Sequence, residues 1–149
     1  MEKSLQTLKK IIHNLEFFAR AKVSQIDFTN AMLKNDKFSP MPDDYAMFLR
    51  EESNGIVSGI LEFFGTEKVN RSDYNYNFPS IIEANEIFKT TNNPLMENSV
   101  LLGYNLLYAI IWNESEKVYK IIHRNFFTPF KTFNKFNDVL QFVISKYEA

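Results

Sequence analysis

Apolar residues recur at three- and four-residue spacing along the first stretch of the chain, at Leu5, Leu8, Ile11, Ile12, Leu15 and Phe18. That period predicts an amphipathic helix over residues 3–20, with Lys9 and Lys10 off its apolar stripe. A second helical pattern, Ile26, Phe28, Ala31, Met32 and Leu33, follows Ser24 as N-cap and breaks at Asn35-Asp36-Lys37. The stretch MPDDYAMFLREESNGI, residues 41–56, reads as a complete helix cassette. Ser39-Pro40-Met41-Pro42 forces an extended approach, and Pro42 suits a first turn, where its missing N–H costs nothing. Asp43 and Asp44 there complement the helix dipole. Tyr45, Phe48 and Leu49 fall at i, i+3 and i+4 on one face. Asn54-Gly55 tolerates the left-handed geometry that ends a helix.

Beyond Gly55 the period changes. Ile60, Leu61, Phe63 and Phe64 predict a short strand ended by Gly65. Residues 66–78 are polar, with Tyr74, Tyr76 and Phe78 interspersed, and read as an exposed loop. Pro79 opens a helix over residues 79–89, which Asn92-Asn93-Pro94 closes. Segments 99–105, 106–113 and 117–123 are rich in β-branched and aromatic residues and predict strands, with a hairpin turn at Asn113-Glu114-Ser115-Glu116. Residues 123–136 place Phe127, Phe130, Phe133 and Phe136 at every third position, a spacing that fits neither strand nor α-helix and reads as an irregular crossing. From Asn134 the pattern Phe136, Val139, Leu140, Val143 and Ile144 is helical again. The order predicts an α+β fold: a single domain over 1–149, one mainly antiparallel sheet flanked by helices, and helix 3–20 as an extension.

Composition changes this picture in three places. Phe alone contributes fifteen residues to a 15% aromatic content, so the core is heavy in rings and some are free to face a partner. Cys is absent, which excludes disulfides, thiolate zinc sites and a cysteine nucleophile and suits a reducing cytoplasm. No run approaches the ~18 consecutive apolar residues of a membrane span, and the N-terminus lacks a signal-peptide core, so a cytoplasmic protein without a membrane partner is expected. The net charge of −1 hides an asymmetry. Residues 36–116 hold thirteen Asp/Glu against five Lys/Arg, while both ends are basic. The acidic middle is either a solvated surface or a face that steers a basic partner.

Candidate chemistry is thin. His13 and His123 stand alone, without acids at ligand spacing, so no metal or other cofactor is expected. The glycines build no phosphate-cradling loop, and Gly55-Ile56-Val57-Ser58-Gly59 sets its serine one place late for a nucleophile elbow. The acid pairs Asp43/Asp44 and Glu51/Glu52 are adjacent on a helix, hence about 100° apart, and do not converge on one substrate atom. Residues 123–136 interleave aromatics with Arg124, Lys131 and Lys135 in the manner of a single-strand nucleic-acid platform, but the overall charge is not basic and no nucleic acid is expected. Trp112, Tyr74 and Tyr76 are the side chains best suited to a protein interface, which favours large rings with few rotors; Trp112, in a strand, also fits the core. Asp43, Asp44, Glu51, Glu52, Tyr74, Tyr76 and Trp112 are therefore the candidate partner-binding residues, and none is a candidate for catalysis.

A Pro-x-x-Tyr helix running into Phe-Leu and closing on Asn-Gly is present as Pro42, Tyr45, Phe48, Leu49, Asn54 and Gly55. After it come an apolar strand ending in Phe-Gly (Ile60 to Gly65), a helix with Ile81/Ile82 and Asn85, and a Lys117–Tyr119 strand followed by a Phe-rich closing helix. In this order the four landmarks resemble the SUKH superfamily, in particular its YrhA-like branch, over most of residues 24–147. The resemblance implies a non-enzymatic binding protein. Bacterial members of that superfamily are immunity proteins that bind and neutralise a cognate polymorphic toxin, and fungal ones are regulatory interaction modules. A toxin domain is thus the expected partner, with a regulatory or scaffolding role, or a small enzyme, as the other readings.

Overall fold

The computed structural model describes residues 2–11, 15–58, 61–71, 76–91, 93–124 and 128–147. The cassette at 41–56 folds as its pattern requires. Pro42 is extended (φ −66°, ψ 153°) and serves as N-cap of helix α3, Asp43–Glu51. Tyr45, Phe48 and Leu49 are fully buried along one side of it. Gly55 takes φ 108°, where a side chain would be strained. Asn54 then ties the turn to the next strand. Its Oδ1 accepts from the Thr66 amide (2.8 Å) and its Nδ2 donates to Thr66 Oγ1 (2.8 Å). Gly65 lies so close beneath that an added Cβ would stand 2.1 Å from the Asn54 carbonyl oxygen. The Asn54-Gly55 and Phe64-Gly65 pairs are one packed junction.

The described residues form a single α+β domain. Its main sheet runs β1 (Glu16–Phe17), β2 (Ile56–Val57), β3 (Leu61–Phe63), β6 (Ser99–Asn105), β7 (Tyr108–Asn113), β8 (Val118–His123) and β9 (Pro129–Phe133), with antiparallel neighbours throughout. Strands β4 (Val69–Arg71) and β5 (Tyr76–Phe78) pair separately as a small hairpin. Every residue of β7 is buried, which is why its sequence lacks the alternation of a half-exposed strand. Helices α1 (Glu2–Ile11) and α5 (Phe136–Tyr147) pack together, with Leu8 fully buried, while α2 (Val23–Asn35) meets α3 and α4 (Ile81–Lys89).

Where β3 ends opposite Gly103, the edge of β6 is left open, and other groups complete it. The Phe64 amide donates to the Leu102 carbonyl (2.9 Å) and the Ser39 amide to that of Ser99 (3.2 Å). Between them, buried Asn85 on α4 acts as a one-residue strand. Its Oδ1 accepts from the Leu101 amide (2.7 Å), and its Nδ2 donates to the Leu101 carbonyl (3.0 Å) and to that of Ile81 (2.7 Å). The Tyr45 hydroxyl donates to the carbonyls of Phe64 (2.5 Å) and Leu102 (3.3 Å), binding α3 to the same edge. Burial pushes that phenol's pKa well above its usual value, so it stays a donor.

Several sequence expectations change. The first helix is described over Glu2–Ile11 and does not reach residue 20, because Glu16–Phe17 joins the sheet, with Leu15, Phe17 and Phe18 packed on the core. Helix α2 is capped at Lys22, not Ser24, because Gln25 reaches back to accept from the Lys22 amide (2.7 Å). The supposed loop 66–78 contains the β4–β5 hairpin, and helix α4 starts behind a Ser80/Glu83 capping box. The expected strand 106–113 begins only at Tyr108, since Leu106 and Leu107 form a turn. The expected irregular crossing at 123–136 contains strand β9. Phe127 lies outside the described residues; a register shift against β8 and a turn separate Phe130, Phe133 and Phe136, the last of which opens α5.

Replacing Asn85 with Leu keeps the volume but leaves the Leu101 amide and carbonyl buried without partners. Unfolding in urea should show a stability loss of about 2–4 kcal/mol at unchanged m-value.

Candidate functional site

The first turn of α3, the extended segment before it and the β7–β8 turn converge on a cleft of about 460 Å³. Its deep side is formed by Met41 and Trp112, at 3% and 7% exposure. Exposed Asp43 and Lys117 and half-buried Glu114 form its rim. The approach segment is fixed from α2, where Asn30 Oδ1 accepts from the Met41 amide (2.9 Å). The β7–β8 turn is fixed by Asn113, whose Oδ1 accepts from the Glu116 amide (2.8 Å), and by Lys117 in the left-handed region (φ 56°).

The turn's spacing brings three functional side chains together. Trp112 Nε1 donates to Glu114 Oε2 (2.7 Å), and the Lys117 ammonium contacts Glu114 Oε1. Burial pushes the Glu114 carboxyl up, but the hydrogen bonds from Lys117 and Trp112 and the Lys117 charge outweigh it and hold the pKa below the usual glutamate value. Trp112 also packs on Tyr119, with ring centroids 4.8 Å apart.

The two aspartates divide their roles. Asp44 is spent inside the fold: one carboxylate oxygen accepts from the Tyr119 hydroxyl and the other from the Phe136 amide (2.6 Å). The second bond caps α5 from a different helix, satisfying an amide that α5 leaves orphaned. Burial first, then Asp44, pushes the Tyr119 phenol far above its ordinary pKa, which keeps it a donor. Asp43 makes no hydrogen bond or ion pair among the described residues and is left as the cleft's free anion. The adjacent acids thus point to different neighbours, as their helical offset requires.

Of the sequence candidates, Asp43, Asp44 and Trp112 meet at the cleft, whereas Glu51 and Glu52 sit at the far end of α3. Glu51 is exposed beside Arg50 (3.9 Å), a surface pair of small energetic worth. Tyr74 lies outside the described residues; Tyr76 contributes its backbone to β5, and its side chain is likewise outside them. Pro42, Tyr45, Phe48, Leu49, Asn54, Gly55 and Gly65 are the framework beneath. Met41, Glu114 and Lys117 were not singled out from sequence; the one available signal was the run Trp112-Asn113-Glu114-Ser115-Glu116-Lys117, where a tight turn brings i, i+2 and i+5 together.

With Asp43 free, Asp44 bonded inside the fold and Glu114 paired with Lys117, the cleft keeps a net negative charge suited to a cationic group. Among the described residues no cluster of three or more His, Cys, Asp or Glu is placed to hold a metal ion. His123 packs its ring on Tyr108 (5.3 Å), and His13 lies outside the described residues. No helix among them is long and apolar enough to cross a membrane. Compared with protein-family models and with curated proteins, the chain matches none.

Two outcomes follow from this geometry. Asp44→Ala removes a helix cap and strands a buried phenol, and should lower stability by about 3 kcal/mol, against about 1–2 for Tyr119→Phe, by chemical denaturation. Trp112 is the single tryptophan, so its fluorescence reports Glu114 directly. A depressed folded pKa means that the contact's stabilisation is complete above the ordinary glutamate range and is lost as pH falls through the lower folded value. The emission should therefore titrate with a midpoint below the ordinary glutamate value, and Glu114→Gln should abolish that transition.

Proposed function

We propose that the protein is a non-enzymatic, cytoplasmic immunity-type protein that binds and neutralises a toxin domain, presenting the Asp43–Trp112–Glu114 cleft to a basic surface of that toxin. The observation that carries this reading is the double use of residues 42–45. The segment that resembles the SUKH landmark builds the core through Tyr45 and the cleft through Pro42, Asp43 and Asp44. Two further features support it. Asp44 is committed to Tyr119 and Phe136, which leaves the acid pair unsuited to acid–base chemistry. The acidic residues concentrate in 36–116, the part of the chain that contains both α3 and the β7–β8 turn. Opposite charge at an interface mainly raises the association rate and sets specificity.

The test is co-expression with any toxin domain that is found encoded beside this gene. Protection from growth arrest and co-purification are expected, and Asp43→Lys with Glu114→Lys should slow association about tenfold or more at low salt, the difference shrinking as salt rises. Association that is indifferent to both substitutions at every ionic strength sinks the cleft as the docking site. A partner that is not a toxin would instead assign the regulatory role.

A further inference from the structure

At the end of β7 away from the cleft, the β6–β7 turn exposes two leucines, Leu106 at 62% and Leu107 at 56%. Their backbone is held rather than loose. Asn105 Oδ1 accepts from the amides of Leu107 (3.0 Å) and Tyr108 (2.7 Å). Arg124 closes the other side, donating its amide to the Leu107 carbonyl (2.9 Å) and Nη1 to the Asn105 carbonyl (3.1 Å), with its guanidinium 4.3 Å from the Tyr104 ring centre. Hairpin turns of this length favour Asn, Asp and Gly, so a rigid Leu-Leu tip breaks the local rule without a gain inside the fold.

The surroundings of the tip extend its character. Phe130, 49% exposed, stacks on Tyr108 (5.1 Å), the residue next to Leu107. The Lys131 and Lys146 ammonium groups lie over the neighbouring Phe142 ring at 5.4 and 4.9 Å, and neither makes an ion pair among the described residues. One carboxylate, that of Glu62, stands in register with Tyr104. The patch is apolar at its centre and cationic around it.

The cleft is its complement, with Met41 and Trp112 within and, around them, Asp43, Asp44 and the Glu114–Lys117 ion pair, a set whose net charge is negative. Tyr108 and Asn113 bound β7, and a strand of six residues separates its ends by about 17 Å. A tip fixed on one end cannot fold back into a cleft fixed on the other. We infer that the Leu106–Leu107 tip of one copy seats in the cleft of a second copy, with Arg124, Lys131 and Lys146 on the side of the unpaired Asp43. Such a contact joins unlike surfaces, so it closes as a reciprocal two-fold pair or a ring where the rotation allows and otherwise runs on head to tail. The inference does not rest on the toxin-binding reading, because the purified chain alone tests it. It does place self-association and any cleft-bound partner in competition.

Analytical ultracentrifugation of the full chain tests the proposal. The weight-average mass should rise with concentration and fall with added salt. Leu106→Ser with Leu107→Ser should weaken association about a hundredfold, roughly tenfold for each leucine removed from the contact. Asp43→Lys should weaken it as well. The decisive arm mixes the two variants: the intact cleft of one and the intact tip of the other should form a one-to-one pair that grows no further. Both substituted sites are exposed, and circular dichroism matching the wild type confirms the fold. A wild type that stays monomeric at every concentration overturns the proposal and leaves the tip to an acidic surface of another protein. Association lost on changing the tip but untouched by Asp43→Lys also overturns it, since tips would then be pairing with tips.

Discussion

The Asp44 carboxylate is the point on which the two halves of the molecule meet. It belongs to α3, yet it holds the hydroxyl of Tyr119 on β8 and the first amide of α5. Phe136, whose amide it caps, is fully buried and touches four rings: Tyr45 (4.9 Å), Phe48 (5.1 Å), Phe63 (5.3 Å) and Tyr119 (5.9 Å). A half-buried carboxylate is costly unless its oxygens are occupied, and here both are, so the polar contact and the aromatic cluster fix each other's geometry. Trp112 rests on Tyr119, and through it the cleft inherits its shape from the core.

The second organising constraint is the part of the β6 edge that β3 leaves unpaired. Proteins do not leave buried backbone groups unpaired, and this edge is completed by an amide side chain, a following residue and a segment from before α3. That one edge collects α3, α4 and the approach to the cleft explains why residues far apart in sequence hold the site. Asn85 does with its side-chain amide what a further strand would do with its backbone, while Asn30 holds the Met41 amide of the approach segment.

Much of this was legible from sequence, and the exceptions have physical causes. The cassette 41–56 and the closing helix were readable because capping signal, apolar period and stop agree with one another. Residues 66–78 and 123–136 were misread because their strands are short, paired at an edge or apart from the main sheet, and interrupted by a turn or register shift that destroys the two-residue period. Leu106 and Leu107 were absorbed into a strand because leucine gives no turn signal. Of the cleft, Asp43, Asp44 and Trp112 were visible as residue types. Their partners Glu114 and Lys117 were not, because only the turn geometry brings them under the indole.

The cap on α5 has a consequence for how the chain comes together. Asp44 and Phe136 are 92 positions apart, so the last helix is completed by a group made near the start. An isolated helix of twelve residues is marginal in water, and this one lacks a cap until α3 is already docked on the sheet. The closing helix therefore draws part of its stability from the docking of α3 and not from its own sequence alone.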